Sequence, residues 1–173
     1  MFCNMCSSEF RGGLCWLCYV ARCTHGISKI TPKIYLADNV NSRDYDKLQK
    51  LGIRQILTVG IDLLPHKTDV FRTNKINVSD VENENISMYF NTANKFIDQG
   101  VTLVHCRAGV SRSASIVIAY LMKTYGWNLD RALSYVKSKR SIINPNKGFL
   151  QQLKNYDVEL QKKERFSLRR IRR

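Results

Sequence analysis

Residues 101–122 set a short apolar run, a polar loop and a long apolar run end to end, and few folds accommodate that order. Val101-Thr102-Leu103-Val104 is β-branched and apolar, as a buried strand requires. Ala114-Ser115-Ile116-Val117-Ile118-Ala119-Tyr120-Leu121-Met122 is long enough for a helix and apolar nearly all round, so it belongs in the interior. The loop between them, beginning His105-Cys106, must then turn at a helix N-terminus, where backbone N–H groups lack intrahelical partners and the dipole is positive. Five consecutive residues, Arg107, Ala108, Gly109, Val110 and Ser111, folded round such an end make a cradle for one phosphate group.

The side chains in that loop name a chemistry. A thiol at the mouth of a positive cradle is favoured as thiolate, which makes Cys106 a candidate nucleophile. Arg112, at the helix start, offers N–H donors in the fork geometry that fits two phosphate oxygens, and it can follow charge onto those oxygens in a transition state. Gly109 gives the backbone a conformation other residues resist and brings it close to a ligand. Ser113 lies within reach of the sulfur and can stabilise it as a leaving group. A buried structural cysteine would not explain a His-Cys pair, Gly three residues on and Arg six residues on, all between a strand and a helix.

The pattern His-Cys-x-x-Gly-x-x-Arg-Ser resembles the phosphate loop of the cysteine-dependent protein tyrosine phosphatases. The version present, His-Cys-Arg-Ala-Gly-Val-Ser-Arg-Ser-Ala, is most similar to the dual-specificity branch. Ile30-Thr31-Pro32-Lys33-Ile34-Tyr35-Leu36-Ala37 resembles that domain's opening strand. Leu51-Gly52-Ile53-Arg54-Gln55-Ile56-Leu57-Thr58-Val59 resembles the next, with Thr58 where the family usually has Asn. Asn144-Pro145-Asn146-Lys147-Gly148-Phe149-Leu150-Gln151-Gln152-Leu153 resembles its closing segment. The resemblance runs from about Ser28 to about Gln161. It implies metal-independent hydrolysis of phosphoproteins through a phosphocysteine, with Cys106, Arg112, Asp80 and Ser113 as catalytic residues and residues 107–112 holding the phosphate.

Length and element order agree with one α/β domain. At 173 residues the chain supports a single well-buried core, and a hydrophobic fraction of 44% is ordinary for a globular protein. Strands are predicted over Lys33–Ala37, Ile53–Val59, Phe71–Val78 and 101–105. Helices are predicted over Ser42–Leu51, ended by Gly52, over Ile86–Gln99, through the apolar run after the loop, over Leu129–Val136 with Asn128 as cap, and from Lys147 to Lys163. Alternating strands and helices imply a central, mostly parallel twisted sheet flanked by helices, with the ligand at the carboxyl ends of the strands, where Cys106 falls.

Hydrolysis of a phosphomonoester also needs a proton for the leaving oxygen, and a carboxylic acid on a separate loop is the usual source. Asp80, Glu82 and Glu84 precede the amphipathic helix, and Val78-Ser79-Asp80 resembles the family's acid loop, so Asp80 is assigned the role. The interval from Asp80 to Cys106 is a few residues shorter than the family's usual one, and the shortening falls after Asp98. His105 is expected to point away from the phosphate and to fix the loop by hydrogen bonding. His66 and His25 have no evident partner and read as surface residues. Arg107 reads either as a cation at the substrate entrance or as a solvated side chain.

The ends of the chain raise separate questions, and the reading divides it into an arm (1–27), the catalytic domain (28–161) and a basic tail (162–173). In the arm, Cys3-x-x-Cys6, eight residues, then Cys15-x-x-Cys18 is a pair of chelating knuckles that suits a structural tetrahedral zinc and resembles a small zinc ribbon. An unliganded apolar arm and lipid attachment to its cysteines are the competing readings; Phe2 stands where myristoylation needs glycine. Formal net charge is +14, and Lys162–Arg173 carries seven cations against one anion, a composition suited to an acidic partner, nucleic acid, an anionic membrane or a nuclear address. No secretory leader is evident, Leu14–Ala21 is too short to span a bilayer, and a nucleophilic thiol needs a reducing compartment, so an intracellular setting, cytoplasmic and/or nuclear, is expected. Two other functions stand beside protein phosphatase: an RNA 5′-phosphatase guided by the tail, and a non-catalytic phosphate-binding module. Family members acting on RNA or lipid generally carry Thr-Gly after the arginine, and Ser113-Ala114 here favours protein substrates.

Overall fold

The computed structural model describes residues 26–66 and 69–171. Cys3, Cys6, Cys15, Cys18 and His25 lie outside the described residues. Among the described residues five strands form one sheet: β1 (Ser28–Lys29), β2 (Ile34–Ala37), β3 (Gln55–Val59), β4 (Arg72–Ile76) and β5 (Thr102–His105). Their spatial order is β1-β2-β5-β3-β4, with β1 antiparallel to β2 and every other pair parallel. The mostly parallel sheet expected from the alternation of elements is therefore present. β1 was not predicted, because two residues are too short to display a period.

Side chains alternate across the sheet and build two cores of unequal size. Ile34, Leu36, Leu57, Val59, Ile76 and Val104 face one layer, which holds the buried stripes of α2 (Phe90–Ile97), α3 (Arg112–Tyr125), α4 (Leu129–Lys139) and α5 (Lys147–Ile171). Tyr35, Ala37, Ile56 and Leu103 face the other, where Leu48 of α1 (Tyr45–Lys50), Ile53 and Phe71 complete a smaller cluster. α3 is the centre of the larger layer, with every residue from Arg112 to Met122 buried. That is why its sequence is apolar on all sides. β5, flanked on both sides by parallel strands, delivers the chain from the middle of the sheet straight into that helix.

Element boundaries differ from the predicted ones where backbone hydrogen bonds leave the regular ladder. The segment predicted as one helix over Ser42–Leu51 is a 3₁₀ turn (Asn41–Arg43) followed by α1, because Asp38 accepts from the Val40 and Asn41 amides and Asp44 caps Lys47. Gly52, at φ +73°, ends α1 as predicted. A second 3₁₀ turn, Ser87–Tyr89, precedes α2. Asn128 caps α4, accepting from the Arg131 amide. α5 runs to Ile171, beyond the predicted Lys163, through residues of good helix propensity. Among the described residues no helix is long and apolar enough to cross a membrane, and no group of three or more His, Cys, Asp or Glu side chains is placed to hold a metal ion.

Candidate active site

Between His105, the last residue of β5, and Arg112, the first of α3, the chain wraps the helix N-terminus with Cys106 at its base. The Cys106 sulfur accepts hydrogen bonds from the Gly109 amide at 3.2 Å and the Ser113 hydroxyl at 3.1 Å. Gly109 has φ +67°, and a Cβ there would lie 2.6 Å from the Ala37 carbonyl oxygen and 2.8 Å from Arg140 Nη2. The glycine is thus required by its dihedral and by the crowding of β2 behind the loop. Arg140, 1% exposed, holds the loop from that side, donating to the carbonyls of Gly109 (2.9 Å) and Ala108 (3.3 Å) and reaching the Gly26 carbonyl and Ser28 Oγ. Burial pushes the Arg140 guanidinium below its ordinary value, with Asp38 and Cys106 opposing.

His105 points away from the pocket, as expected, into a buried polar cluster. Its Nε2 lies 2.9 Å from Thr58 Oγ1, the residue that stands where the family usually has Asn, and 2.9 Å from His66 Nε2. His66 corrects the sequence reading: it is a buried residue, 5% exposed, whose other ring nitrogen meets the Tyr45 hydroxyl at 3.0 Å. Its partners, His105 of β5, Tyr45 of α1 and Ser42 of the first 3₁₀ turn at 3.5 Å, come from three separate elements, so its neighbours in sequence gave no hint of them. Burial lowers the pKa of both rings, His66 to about 4 with help from Arg43, and His105 to about 3 with help from His66.

The opposite wall is carboxylate. Asp80 Oδ1 accepts from Ser111 Oγ at 2.7 Å and from Asn146 Nδ2 at 3.0 Å, while Ser111 Oγ in turn accepts from the Asn146 amide. Ser111 thereby ties the phosphate loop to the acid loop. Glu84 instead accepts the Ser79 amide, which fixes the turn, and Glu82 is exposed. Gly148, in the first turn of α5, lets that helix approach the loop of Asp80, because a Cβ there would lie 1.8 Å from the Glu82 carbonyl oxygen.

Asp62, which the sequence reading passed over, faces both loop arginines. One carboxylate oxygen takes Arg112 Nη1, and the other takes Arg107 through Nε at 2.8 Å and Nη2 at 2.7 Å. Burial works against the Asp62 charge, but the bonds from Arg112 and Arg107 outweigh it and hold the carboxyl below its usual value. Burial likewise works against the Arg112 charge, and Cys106, Asp62 and Asp80 more than offset it, so its pKa is raised. Arg112 Nε is buried, 3.6 Å from Asp80 Oδ2, and has no hydrogen-bond partner among the described residues. Arg107 is neither a free entrance cation nor merely solvated; it is paired at the rim.

A cavity of about 570 Å³ collects these groups: Cys106, Arg107, Ala108, Val110, Ser111 and Arg112 from the loop, with Ile61, Asp62, Ser79, Asp80, Asn144 and Asn146 around them. Cys106 forms its floor and is 1% exposed. Asp62 and Asn146 were each discoverable. Asp62 lies just past the carboxyl end of β3, beside the strand carrying Cys106, which is where parallel sheets place ligand-facing groups. Asn146 lies within the Asn-Pro-Asn segment already recognised. Arg140 gave no local signal at all.

The family model "Dual specificity phosphatase, catalytic domain" matches residues 34–159. The chain belongs to this family. Protein phosphatase Slingshot homolog 2 of Homo sapiens is 42% identical over 134 residues, covering 75% of this chain and 9% of that protein. Dual specificity protein phosphatase 1 of Arabidopsis thaliana is 39% identical over 144 residues, covering 80% of this chain and 73% of that one. The chain spans 9% to 19% of the length of the Slingshot proteins of Homo sapiens and Xenopus laevis. Among solved structures, the human tyrosine phosphatase-like serine/threonine/tyrosine-interacting protein superposes with a TM-score of 0.73 at 34% identity, over 78% of this chain and 97% of that one. DUSP15 superposes with a TM-score of 0.71 at 30% identity, over 80% and 96%.

Proposed function

We propose that this chain hydrolyses phosphotyrosine and phosphoserine/phosphothreonine esters on proteins through a phosphocysteine. What carries the reading is one arrangement: a sulfur lining the pocket and bonded by Ser113, with a buried Arg112 Nε that has no hydrogen-bond partner and lies 3.6 Å from Asp80 Oδ2. The sulfur lone pair attacks phosphorus while Arg112 and the loop amides of residues 107–112 hold the non-bridging oxygens. As the P–O ester bond breaks, Asp80 in its protonated form gives its proton to the departing oxygen. Water then attacks the phosphocysteine, Asp80 takes one of its protons, and the S–P bond breaks to release inorganic phosphate. The Ser113 hydroxyl, already donating to the sulfur, stabilises it as that bond opens. No metal takes part in these steps, as is general in the family.

Ser113-Ala114 after the arginine and the likeness to proteins named as protein phosphatases support protein substrates over RNA 5′ ends. Side-by-side rates on phosphotyrosine and phosphothreonine peptides and on triphosphorylated RNA decide between them. Faster release of phosphate from RNA would overturn the assignment, and Cys106→Ser with undiminished turnover would overturn the chemistry.

The proposal assigns residues 28–161 as the catalytic unit, although the Arg140 bond to the Gly26 carbonyl extends its backing slightly upstream. For the arm, a structural zinc on Cys3, Cys6, Cys15 and Cys18 is proposed from spacing alone; elemental analysis should give about one equivalent, lost on Cys→Ser change. For the tail, the charge of Lys162–Arg173 supports binding of an acidic partner or nucleic acid, with a salt-dependent affinity as its signature. A thiolate nucleophile supports work in a reducing compartment, the cytoplasm and/or nucleus.

A further inference from the structure

The segment from Gly60 to His66 touches both the phosphate loop and the strand that leads into it. At one end Asp62 takes Arg112 and Arg107; at the other His66 meets His105 beneath Cys106. We propose that Asp62 is a positioning residue, which grips Arg112 by Nη1 so that its Nε edge stays turned to the pocket for the oxygens of a phosphoryl group. The inference rests on the phosphatase reading above.

Three observations support it. The guanidinium is used asymmetrically, with Nη1 engaged by Asp62 and Nε buried with no hydrogen-bond partner, its nearest carboxylate oxygen being Asp80 Oδ2 at 3.6 Å, as expected of a donor reserved for a bound oxyanion. The segment is rigid where it matters, since the Gly60 amide donates to the Ile76 carbonyl at 2.8 Å and the Ile61 amide to the Val78 carbonyl at 3.1 Å. Space has also been left for the pair. A Cβ on Gly60, whose backbone needs no glycine for its dihedral, would lie 2.6 Å from Arg112 Nη1 and 2.8 Å from Asp62 Oδ1.

The rival is that Asp62 is a built-in competitor, a carboxylate sitting where phosphate would sit. The geometry disfavours it. A competitor would occupy the Nε edge, whereas this carboxylate takes the far corner and spends its second oxygen on Arg107. Both ideas involve the same contact but predict opposite signs, so binding separates them.

Asp62→Asn keeps shape and removes charge, and Asp62→Ser removes the contact. Both are measured in the full chain against wild type by orthovanadate calorimetry, by melting temperature, and by kcat and KM on a phosphotyrosine peptide. Positioning predicts vanadate affinity weakened about tenfold or more, and kcat lowered about tenfold or more with KM changed less than about threefold, in a protein that melts near the wild-type temperature. Gly60→Ala should reproduce the loss, since its methyl group displaces the ion pair. Vanadate affinity unchanged or tightened in the Asp62 variants overturns the proposal, and so does a wild type that binds no vanadate. A wild type that binds vanadate yet hydrolyses no phosphoester ends the phosphatase reading, while the binding comparison still decides the role of Asp62.

Discussion

Two arginines press on the phosphate loop from opposite sides, both nearly sealed from solvent, and they are set in contrasting surroundings. Arg112, on the pocket side, sits among negative groups, the Cys106 sulfur with Asp62 and Asp80, and its pKa is raised. Arg140, on the sheet side, donates to the carbonyls of Ala108, Gly109 and Gly26, and burial lowers its pKa. Arg140 donates to three backbone oxygens and the Ser28 hydroxyl; Arg112 keeps one buried donor without a hydrogen-bond partner. The same side chain therefore serves architecture on one face of the loop and, in the proposed mechanism, chemistry on the other. The division follows from which acceptors surround it.

The largest expected effect breaks this contrast directly. Arg112→Lys replaces the fork with a point charge and should lower kcat by about 10²–10⁴-fold while moving the melting temperature little. Arg140→Met should do the reverse, since it leaves the Ala108 and Gly109 carbonyls without donors, and cost on the order of 2–4 kcal/mol in stability. Steady-state kinetics and thermal melts on both variants make the test. Equal stability losses, or an Arg112→Lys enzyme of near-normal kcat, would erase the distinction.

The pocket side is sharpened next by Asp80. Asp80→Asn should reduce turnover of alkyl phosphates about 10²–10³-fold, and of aryl phosphates with good leaving groups much less, while leaving vanadate affinity intact. If Glu82→Gln is the crippled variant instead, the proton donor is misassigned. A smaller effect belongs to Ser113→Ala, which removes the hydroxyl donating to the sulfur at 3.1 Å. Breakdown of the phosphocysteine should slow by about tenfold, the size of one lost hydrogen bond to a charged group, and rapid-quench kinetics should then show a burst of the first product. No burst, with the two steps slowed alike, would assign Ser113 to loop structure alone.

The same contrast explains what the sequence made legible. Cys106, Gly109, Arg112 and Ser113 lie within eight residues between two apolar elements, so local pattern sufficed, and the parallel sheet followed from the alternation of strands and helices. Asp80, which lines the pocket, was legible because its loop precedes an amphipathic helix in the family order. The groups that escaped, Arg140, His66 and Asp62, make their decisive contacts across 31, 39 and 50 residues of chain. No spacing rule reaches that far, and each reads locally as an ordinary polar side chain. Boundaries slipped for the converse reason. The 3₁₀ turns at Asn41–Arg43 and Ser87–Tyr89 carry helical patterns of polarity with a different hydrogen-bond ladder, and polarity alone does not separate the two.

A more gradual effect concerns the sheet side again, where His105 and His66 lie buried against each other. Unfolded, each imidazole takes up a proton near pH 6.5; folded, burial delays that to about 4 for His66 and about 3 for His105. Between those limits the unfolded chain binds more protons than the folded one, so stability must fall as pH falls. The pair's contribution is fully present above pH 6.5 and is lost progressively below it, at a slope of at most about 1.4 kcal/mol per pH unit for each ring. Chemical denaturation at pH 7, 6 and 5 should show that decline, and His66→Gln, which keeps a polar group against His105 without an ionisable ring, should flatten it by roughly half. A stability profile level from pH 7 to 5, or one unaltered by His66→Gln, would mean that the two rings accept protons in the folded protein as readily as in water. The base of the phosphate loop would then have to open well before the chain unfolds.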